Sequence, residues 1–371
     1  MHNNKKIKIT LIAGARPNFM KIAPIIKAFD LYPDQIEYRL VHTGQHYDHK
    51  MSDTFFTELG IPEPAVNLGC GGGSQAEQTA AIMIAFEKDL INNPTNLVIV
   101  VGDVTSTMAC SIVAKKLNTK VAHVEAGIRS FDLTMPEEIN RMVTDVLADY
   151  FFTTTELANE NLKKAGISVD RIFLVGNVMI DTLLSNKYCF KKPPFFDQYN
   201  LKKEEYLVLT LHRPANVDEV TNLQSLITEI INNSGNLPVI FPIHPRTLKV
   251  FRDTNIDTPN LKLVEPMGYL EFNYLVENCK AVITDSGGIT EETTVMGIPC
   301  MTLRDNTERP ETITIGTNEL IGTNPSVIKP ALNKLLSGNW KEGSIPTLWD
   351  GQSAKRIASS IINLWSNEIF V

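Results

Sequence analysis

The 371-residue sequence lacks the features that mark membrane-spanning, secreted and disulfide-stabilised proteins. No apolar run is long enough to cross a bilayer, and no small-residue cleavage site follows the opening MHNNKK and the apolar stretch after it. There are only 5 cysteines, which are scattered and never spaced as CxxC, so neither a disulfide framework nor a zinc site is indicated. We therefore expect a cytoplasmic protein.

Basic residues are also fewer than acidic residues. The sequence has 35 basic and 42 acidic residues, which give a formal net charge of -7. This balance argues against a general affinity for nucleic acid or for an anionic membrane, and we predict neither as a partner. Histidines and acids do not occur at the spacings of metal ligands, so we predict no metal ion. Basic groups that bind phosphate must therefore act locally.

Two nucleotide-binding motifs are absent. The sequence has no GxxxxGK[ST] motif, and no GxGxxG follows the first apolar run. The glycine-rich residues 69–73 follow no predicted strand, and we interpret them as a flexible loop. An ATPase function and a dinucleotide cofactor therefore have no support, and we predict that the protein uses no cofactor.

What the sequence does contain is a series of short runs rich in Ile and Val, alternating with segments of helical period. Such runs are typical of buried parallel strands, and their order predicts doubly wound α/β structure. The pattern stops at residues 189–205, which we interpret as a connector because of adjacent prolines and several lysines. The predicted strands are residues 7–13, 38–42, 97–101, 121–124, 150–154 and 172–175, followed by 206–211, 238–242, 261–264, 281–284 and 300–303.

A chain of this length favours two hydrophobic cores. We predict a first Rossmann-like domain from residues 1–188 and 356–371, and a second from residues 189–355. Open α/β sheets bind ligands beyond the carboxyl ends of their strands. The turns that follow the predicted strands are therefore the first places to look for a site.

Two of these turns have the character of anion sites at the start of a helix. Arg16 and Lys21 flank the helix that follows the first strand, although a surface ion pair would explain them equally well. The turn Ser286-Gly287-Gly288 opens another helix, where glycines allow backbone N–H groups to approach a diphosphate. Glu292 follows in that helix and can accept hydrogen bonds from ribose hydroxyls.

Acidic side chains follow successive predicted strands of the first domain. Asp103 lies where an Asp is commonly only a helix cap, and Glu125 ends the next strand. Glu137 and Glu138 open a helix, where acids usually complement the helix dipole. Three such clusters in one domain nevertheless indicate general acid-base chemistry.

Two histidines, His212 and His244, each end a predicted strand of the second domain and are each followed closely by an arginine. A lone histidine at a strand end is usually structural. Two such pairs on one face, opposite the acids of the first domain, suggest a charged cleft.

As a set, these motifs resemble the UDP-N-acetylglucosamine 2-epimerase family, from Gly14-Ala15-Arg16-Pro17 to Glu308-Arg309-Pro310-Glu311. The resemblance implies the glycosyltransferase-B fold, with two Rossmann-like domains facing across a cleft, and a homodimer. It also implies an isomerase that inverts C2 of UDP-N-acetylglucosamine without metal or nicotinamide. UDP would leave by anti elimination to a glycal and then add back.

The resemblance assigns roles residue by residue. The catalytic set that it implies is Asp103, Glu125, Glu137, Arg141 and His212. The implied UDP-sugar contacts are Arg16, Lys21, His244, Phe272, Ser286, Gly287, Gly288, Glu292 and Arg309.

The substrate and its fate stay open at this point. Gly-Ala-Arg-Pro in the first turn and Arg129-Ser130-Phe131 are similar to a branch that acts on UDP-2,3-diacetamido-glucuronic acid, the leading alternative substrate. A hydrolysing epimerase and a glycosyltransferase of the same fold are further alternatives, although a glycosyltransferase would not need three acids. Bacterial members bind an activating UDP-sugar beside a segment that corresponds to residues 45–48 and a pair near Gly73-Ser74. Both places are altered here, so we expect the activator contacts to be absent.

Overall fold

The structure is a computed structural model that describes residues 6–45, 56–254, 256 and 258–367. It divides into two compact units. Unit 1 comprises Met1–Ser185 and Thr347–Val371, and unit 2 comprises Asn186–Pro346. The boundaries expected from the sequence, after residues 188 and 355, lie 3 and 9 residues further along the chain than those of the structure.

Unit 1 contains a parallel sheet of 7 strands in the order β3-β2-β1-β4-β5-β6-β7. The order reverses between β1 and β4, which makes their carboxyl ends a topological switch point. All five residues of β4 are buried, which explains why the central strands read as continuous apolar runs. The strands are β1 (Ile7–Ala13), β2 (Ile36–His42), β3 (Val66–Asn67), β4 (Leu97–Val101), β5 (Lys120–Val124), β6 (Tyr150–Thr153) and β7 (Ile172–Leu174).

Helices follow most of these strands, as the doubly wound pattern requires. The turn into α1 is fixed by Asn18, whose Oδ1 accepts hydrogen bonds from the backbone N–H groups of Gly14 and Ala15, both at 3.0 Å. Its Nδ2 donates to the carbonyl of Val101 at the end of β4. The helices are α1 (Arg16–Phe29), α2 (Gln75–Asn92), α3 (Thr105–Lys116), α4 (Pro136–Leu147), α5 (Glu156–Lys164) and α6 (Val178–Asn186).

Unit 2 contains a parallel sheet of 6 strands in the order β10-β9-β8-β11-β12-β13, with its switch point between β8 and β11. Its strands are β8 (Leu207–Thr210), β9 (Val239–Pro242), β10 (Leu261–Val264), β11 (Ala281–Thr284), β12 (Cys300–Thr302) and β13 (Asn318–Leu320). Its helices are α7 (Pro194–Gln198), α8 (Pro214–Val217), α9 (Val220–Asn232), α10 (Pro245–Phe251), α11 (Tyr269–Glu277), α12 (Gly287–Met296), α13 (Pro310–Thr314) and α14 (Ile328–Leu336).

The chain returns to unit 1 and forms helix α15 (Ser353–Ser366), which packs against α1. Asp181 of α6 anchors the start of α15. Its carboxylate accepts hydrogen bonds from the backbone N–H groups of Ser353 at 3.0 Å and Ala354 at 2.7 Å. These donors have no partner within the helix itself, so a buried carboxylate stabilises the helix start.

The prediction of two doubly wound α/β sheets is confirmed. Two local predictions were wrong. The glycine-rich residues 69–73 do follow a strand, β3, which is too short to leave a pattern in the sequence. The connector at residues 189–205 contains α7, where Pro194 occupies the first helical position that proline tolerates. Among the described residues, no helix has the length and apolar character needed to cross a membrane.

Candidate active site

Helix α1 and the turn after β5 bring a buried cation and a buried carboxylate together. Lys21, one turn into α1, places its Nζ 2.5 Å from Oε2 of Glu125, and both side chains are almost fully buried. Gly102 makes room for the ammonium group, because a Cβ at that position would lie 2.9 Å from Nζ. Gly102 also has a positive φ of 67°, which favours glycine. Glu125 also has a positive φ, of 68°, which strains the backbone of any residue other than glycine. A carboxylate is thus held at a position whose backbone favours glycine.

Asp103 follows β4, and its carboxylate contacts an arginine on α4. Oδ2 of Asp103 lies 2.5 Å from Nη2 of Arg141, and Nδ2 of Asn140 donates to the Asp103 carbonyl at 2.9 Å. The N-cap residue of α3 is Val104. Asp103 is therefore not the cap that its position in the sequence allowed, and its carboxylate is oriented by Arg141.

The two acids that open α4 have different environments. Glu138 is buried, accepts from the backbone N–H groups of Ser130 and Phe131, and contacts Nη1 of Arg141 at 2.8 Å. Burial alone would raise the pKa of Glu138, but these donors outweigh it and lower the pKa. Glu137 is exposed in the first turn of the same helix. Glu138 thus holds Arg141 in place, whereas Glu137 is accessible to a ligand.

Arg16, the first residue of α1, is half-buried at the carboxyl end of β1. Burial lowers its pKa from the ordinary arginine value, and Glu58 counteracts that shift. A guanidinium remains charged at neutral pH despite such a shift. Arg16 and Lys21 therefore supply two cations in the first two turns of α1.

Of the segment expected to lack the activator contacts, only Gln45 is described; residues 46–48 lie outside the described residues. Oε1 of Gln45 accepts from the backbone N–H of Ser106 at 3.0 Å and from its hydroxyl at 2.7 Å. Ser74 caps α2 and binds the backbone N–H of Glu77. Both side chains thus stabilise helix starts.

In unit 2, a buried aspartate at the end of β11 organises the turn after β8. Asp285 accepts hydrogen bonds from the backbone N–H groups of His212 and Arg213 and from Nδ2 of Asn216. Nδ1 of His212 lies 2.8 Å from Asp285 Oδ1. Burial alone would raise the pKa of Asp285, but these donors, His212 foremost, lower it. The His212 side chain is 57% exposed, so its Nε2 is the nitrogen that a ligand can contact.

The turn Ser286-Gly287-Gly288 begins α12, with Ser286 as the N-cap residue. Gly287 is closely approached by Glu308, since a Cβ at Gly287 would lie 2.7 Å from Oε1 of Glu308. Oε2 of Glu308 in turn lies 2.7 Å from Nη2 of Arg304. A side chain larger than glycine would displace this ion pair from the helix N-terminus.

Two glutamates of α12 are buried and have separate partners. Glu291 lies 2.8 Å from Nε of Arg309. Glu292 accepts a hydrogen bond at 2.8 Å from the hydroxyl of Tyr269 on α11. Complete burial raises the pKa of Glu292 to about 7, although Tyr269 and Asn273 act in the opposite direction. Glu292 is thus poised between its neutral and ionised forms at neutral pH.

The remaining sequence-predicted residues of unit 2 are His244 and Phe272. His244 follows β9, is exposed, and caps α10, its Nδ1 accepting from the backbone N–H of Arg246 at 3.3 Å. Arg246 pairs with Asp218 at 2.8 Å. Phe272 is half-buried on α11 and packs against the core of unit 2.

Within residues 6–45, 56–254, 256 and 258–367, no group of three His, Cys, Asp or Glu side chains is placed to hold a metal ion.

Several residues that shape the site were missed by the sequence interpretation. Glu138 was attributed to the helix dipole, and Asp145 and His123 received no role. Glu138, Arg141 and Asp145 are spaced by three and four residues, which places them on one face of α4. All three are buried. A charged stripe at helical spacing, where an apolar stripe is usual, is the signal that could have identified them.

The fold and the two sets of side chains define a class of protein, a nucleotide-sugar enzyme of the glycosyltransferase-B fold. The structure superposes with a TM-score of 0.86 on the Methanocaldococcus jannaschii UDP-GlcNAc 2-epimerase in complex with UDP-GlcNAc and UDP, which is 40% identical. That match covers 96% of this chain and 100% of the other.

Sequence comparison gives the family. The sequence profile of the UDP-N-acetylglucosamine 2-epimerase family matches residues 31–362. The M. jannaschii UDP-N-acetylglucosamine 2-epimerase is 41% identical over 95% of this chain and 98% of its own. The Pseudomonas aeruginosa UDP-2,3-diacetamido-2,3-dideoxy-D-glucuronate 2-epimerase is 35% identical over 96% and 100%. The chain belongs to the UDP-N-acetylglucosamine 2-epimerase family, which confirms the predicted resemblance and the prediction of an isomerase.

The buried Glu292 generates a prediction about stability and pH. Its pKa is about 7 in the folded protein and near the ordinary 4.5 when unfolded. Between these values the folded state holds the extra proton, so the contribution of Glu292 to the free energy of unfolding decreases as the pH rises from 4.5 to 7 and levels off above 7. The full effect is roughly 3 kcal/mol. Urea unfolding of the unliganded protein at pH 5, 6, 7 and 8 measures it.

The matched control is Glu292→Gln, which keeps the shape of the side chain but cannot ionise. The difference in unfolding free energy between the wild type and this variant should favour the wild type more at pH 5 than at pH 8. A difference that does not change with pH would contradict the assignment.

Proposed function

We propose that this protein inverts C2 of a UDP-linked N-acetyl-hexosamine and interconverts UDP-N-acetylglucosamine and UDP-N-acetylmannosamine. The observation that carries the proposal is the pair of contacts Asp103–Arg141 and Lys21–Glu125. They lie after β4 and β5, which are neighbours in the sheet. Carboxylates held in fixed orientations at adjacent strand ends are suited to proton transfer at a carbon atom.

In the proposed reaction, a carboxylate takes the proton from C2 and the C–H electron pair forms a double bond between C1 and C2. The C1–O bond breaks, and its electrons leave with UDP. The resulting glycal receives a proton on the opposite face of C2, and UDP adds back to C1. Asp103, Glu125 and Glu137 are the proposed carboxylates, and Arg141 orients Asp103. One proton and one UDP are lost and regained, so the reaction needs no net oxidant or reductant.

We propose that unit 2 binds UDP. Helix α12 begins with two glycines, and its N-terminal N–H groups favour a diphosphate. Glu292 would accept hydrogen bonds from the ribose, and the exposed ring of His212 would assist departure of UDP. Cations that balance the charge of the departing UDP lower the barrier. The remaining proposed contacts are Arg16, Lys21, His244, Phe272, Ser286 and Arg309.

The second candidate substrate is UDP-2,3-diacetamido-glucuronic acid. The P. aeruginosa relative, 35% identical over 96% of this chain, carries the name of an epimerase acting on that sugar. Its C2 chemistry would be the same. The two substrates differ at C3 and C6, so the same experiment compares them directly.

The reaction is tested by incubating the purified protein in D2O with each UDP-sugar, without added metal or NAD. We expect one deuterium at C2 of both epimers of UDP-N-acetylglucosamine, detected by NMR and mass spectrometry. Faster exchange with the diacetamido-uronate would make that sugar the substrate. Accumulation of free N-acetylmannosamine would identify a hydrolysing enzyme. Turnover that requires an acceptor sugar, with no exchange at C2, would refute the epimerase proposal.

The roles of the acids are tested by Asp103→Asn, Glu125→Gln and Glu137→Gln. Each change removes a proton-transfer group and nearly preserves its shape, so kcat should decrease by roughly 10²-fold or more. The affinity for UDP, measured by calorimetry, should stay close to that of the wild type. Ser286→Ala should mainly weaken UDP binding, and Glu63→Gln, at an exposed glutamate, is the matched control. A loss of UDP affinity that accounts for the loss of turnover would remove an acid from the catalytic set.

We further propose that the protein is a homodimer, assembled through the helical layer of unit 1 in which α3 packs between α2 and α4. α2 exposes Ile84 and Ile91, seven residues apart, and α4 exposes Ile139, Met142 and Val146. Exposed apolar side chains on two helices of one layer are typical of an interface, and a second copy presenting the same helices would cover them.

The dimer is tested by Val146→Glu, because Val146 is 77% exposed and a charge there would be buried without a partner. Light scattering should report a dimer for the wild type and a monomer for the variant. Val169→Glu, at another exposed valine, should stay dimeric. A monomeric wild type, or dimers of both variants, would contradict the proposal.

A cytoplasmic location is part of the same proposal. All five cysteines are unpaired, and four of them are buried. Free thiols are typical of proteins in a reducing compartment.

A further inference from the structure

His123 lies in β5, two residues before Glu125, and its side chain is fully buried. Both ring nitrogens contact oxygen atoms. Nδ1 lies 2.7 Å from Oδ1 of Asp145, and Nε2 lies 2.8 Å from the carbonyl oxygen of Gly102. Both nitrogens of a buried histidine need partners, and here the two partners belong to two different elements.

The partners determine which ring atoms carry hydrogen. The Gly102 carbonyl can only accept a hydrogen bond. Oδ2 of Asp145 accepts from the backbone N–H of Gly127 and lies 2.6 Å from Nη1 of Arg129, so this carboxylate is an acceptor. Both ring nitrogens of His123 therefore face acceptor oxygens, an arrangement that two ring N–H groups satisfy.

The two hydrogen bonds of the ring connect the turns that carry the proposed acids. Gly102 separates β4 from Asp103 and has its positive φ at the point where the chain changes direction. On the other side, Oδ2 of Asp145 accepts from the backbone N–H of Gly127 at 3.1 Å, two residues after Glu125. The turn after β4 and the turn after β5 are thus tied to a single carboxylate on α4.

We propose that His123 is a positioning residue for the epimerisation: its ring holds the Gly102 carbonyl and thereby fixes the carboxylate of Asp103 relative to Glu125. This inference rests on the function proposed above. His123 does not itself transfer a proton to the substrate, because its ring is fully buried and both nitrogens are engaged.

Two substitutions separate the two hydrogen bonds. In His123→Gln the amide nitrogen is as many bonds from Cα as Nε2, so it can still donate to Gly102. In His123→Asn the amide nitrogen corresponds to Nδ1, so it can reach Asp145 but not Gly102. Both variants lose the ring and shrink the side chain, which makes each a control for the other.

We expect His123→Asn to lower kcat for C2 exchange by about 10²-fold, the scale of a displacement of roughly 1 Å at a reacting group. Its UDP affinity should remain close to that of the wild type, because unit 2 is unchanged. The kcat of His123→Gln should be at least ten times that of His123→Asn. This factor assumes that the retained hydrogen bond to Gly102 recovers about half of the 10²-fold loss on a logarithmic scale. Melting temperatures identify any variant that fails to fold.

A spectroscopic measurement tests the premise without a substrate. In wild-type protein labelled with ¹⁵N-histidine, the NMR spectrum should contain two ring N–H groups of His123, and His123→Gln identifies the signals by their loss. A single ring N–H would overturn the inference. Equal kcat in folded Gln and Asn variants, or a parallel loss of UDP affinity, would also overturn it. A wild type that exchanges no C2 deuterium would overturn the proposed function, and this inference with it.

Discussion

The geometry of unit 1 depends on the buried carboxylate of Asp145. It accepts hydrogen bonds from the His123 ring and the Gly127 backbone and forms an ion pair of 2.6 Å with Arg129. In the turns after β4 and β5, the N–H groups of Gly102 and Glu125 still bond to neighbouring strands. The Gly102 carbonyl and the Gly127 N–H instead need the side chains of His123 and Asp145. Removing one member of such a buried charged network typically costs about 3–5 kcal/mol, because the others lose their compensation. Helix α4 therefore determines where the strand ends can lie.

In unit 2 a buried carboxylate likewise accepts hydrogen bonds from a turn at the end of a strand. Asp285 receives two backbone N–H groups, the Asn216 amide and the His212 ring, which are enough donors to keep it ionised despite burial. Glu292 is equally buried but has fewer donors, and its pKa is raised to about 7. A buried carboxyl with many donors, such as Asp285, stays ionised and holds its turn in place. Glu292 has fewer donors, so its carboxyl can still accept hydrogen bonds from a ligand. A ribose could supply what Glu292 lacks.

The strands were predictable because burial on both faces leaves a continuous apolar run, as in β4, and the predicted residues 97–101 match it. Strands β3 and β13 were not, because two or three residues with polar members carry no period. The acid after β4 was found in the sequence, whereas its partner Arg141 was implied only by the family resemblance. Whether Asp103 caps a helix or contacts Arg141 depends on where α4 packs in the tertiary structure, which the local sequence does not determine. Glu138 was misjudged for the same reason, since its donors come from Ser130 and Phe131 in the preceding loop.

The discontinuity of unit 1 has a consequence for how the protein is made. Helix α15, anchored by Asp181, completes a unit whose sheet was synthesised before residue 175, whereas unit 2 is continuous from Asn186 to Pro346. Domains fold largely as units while the chain emerges from the ribosome. The residues of unit 2 are complete once residue 346 has been synthesised, whereas the face of α1 that receives α15 stays uncovered until residues 353–366 follow. During that interval the nascent chain exposes apolar surface that chaperones recognise, and a premature stop late in translation would damage the half of the molecule that was synthesised first.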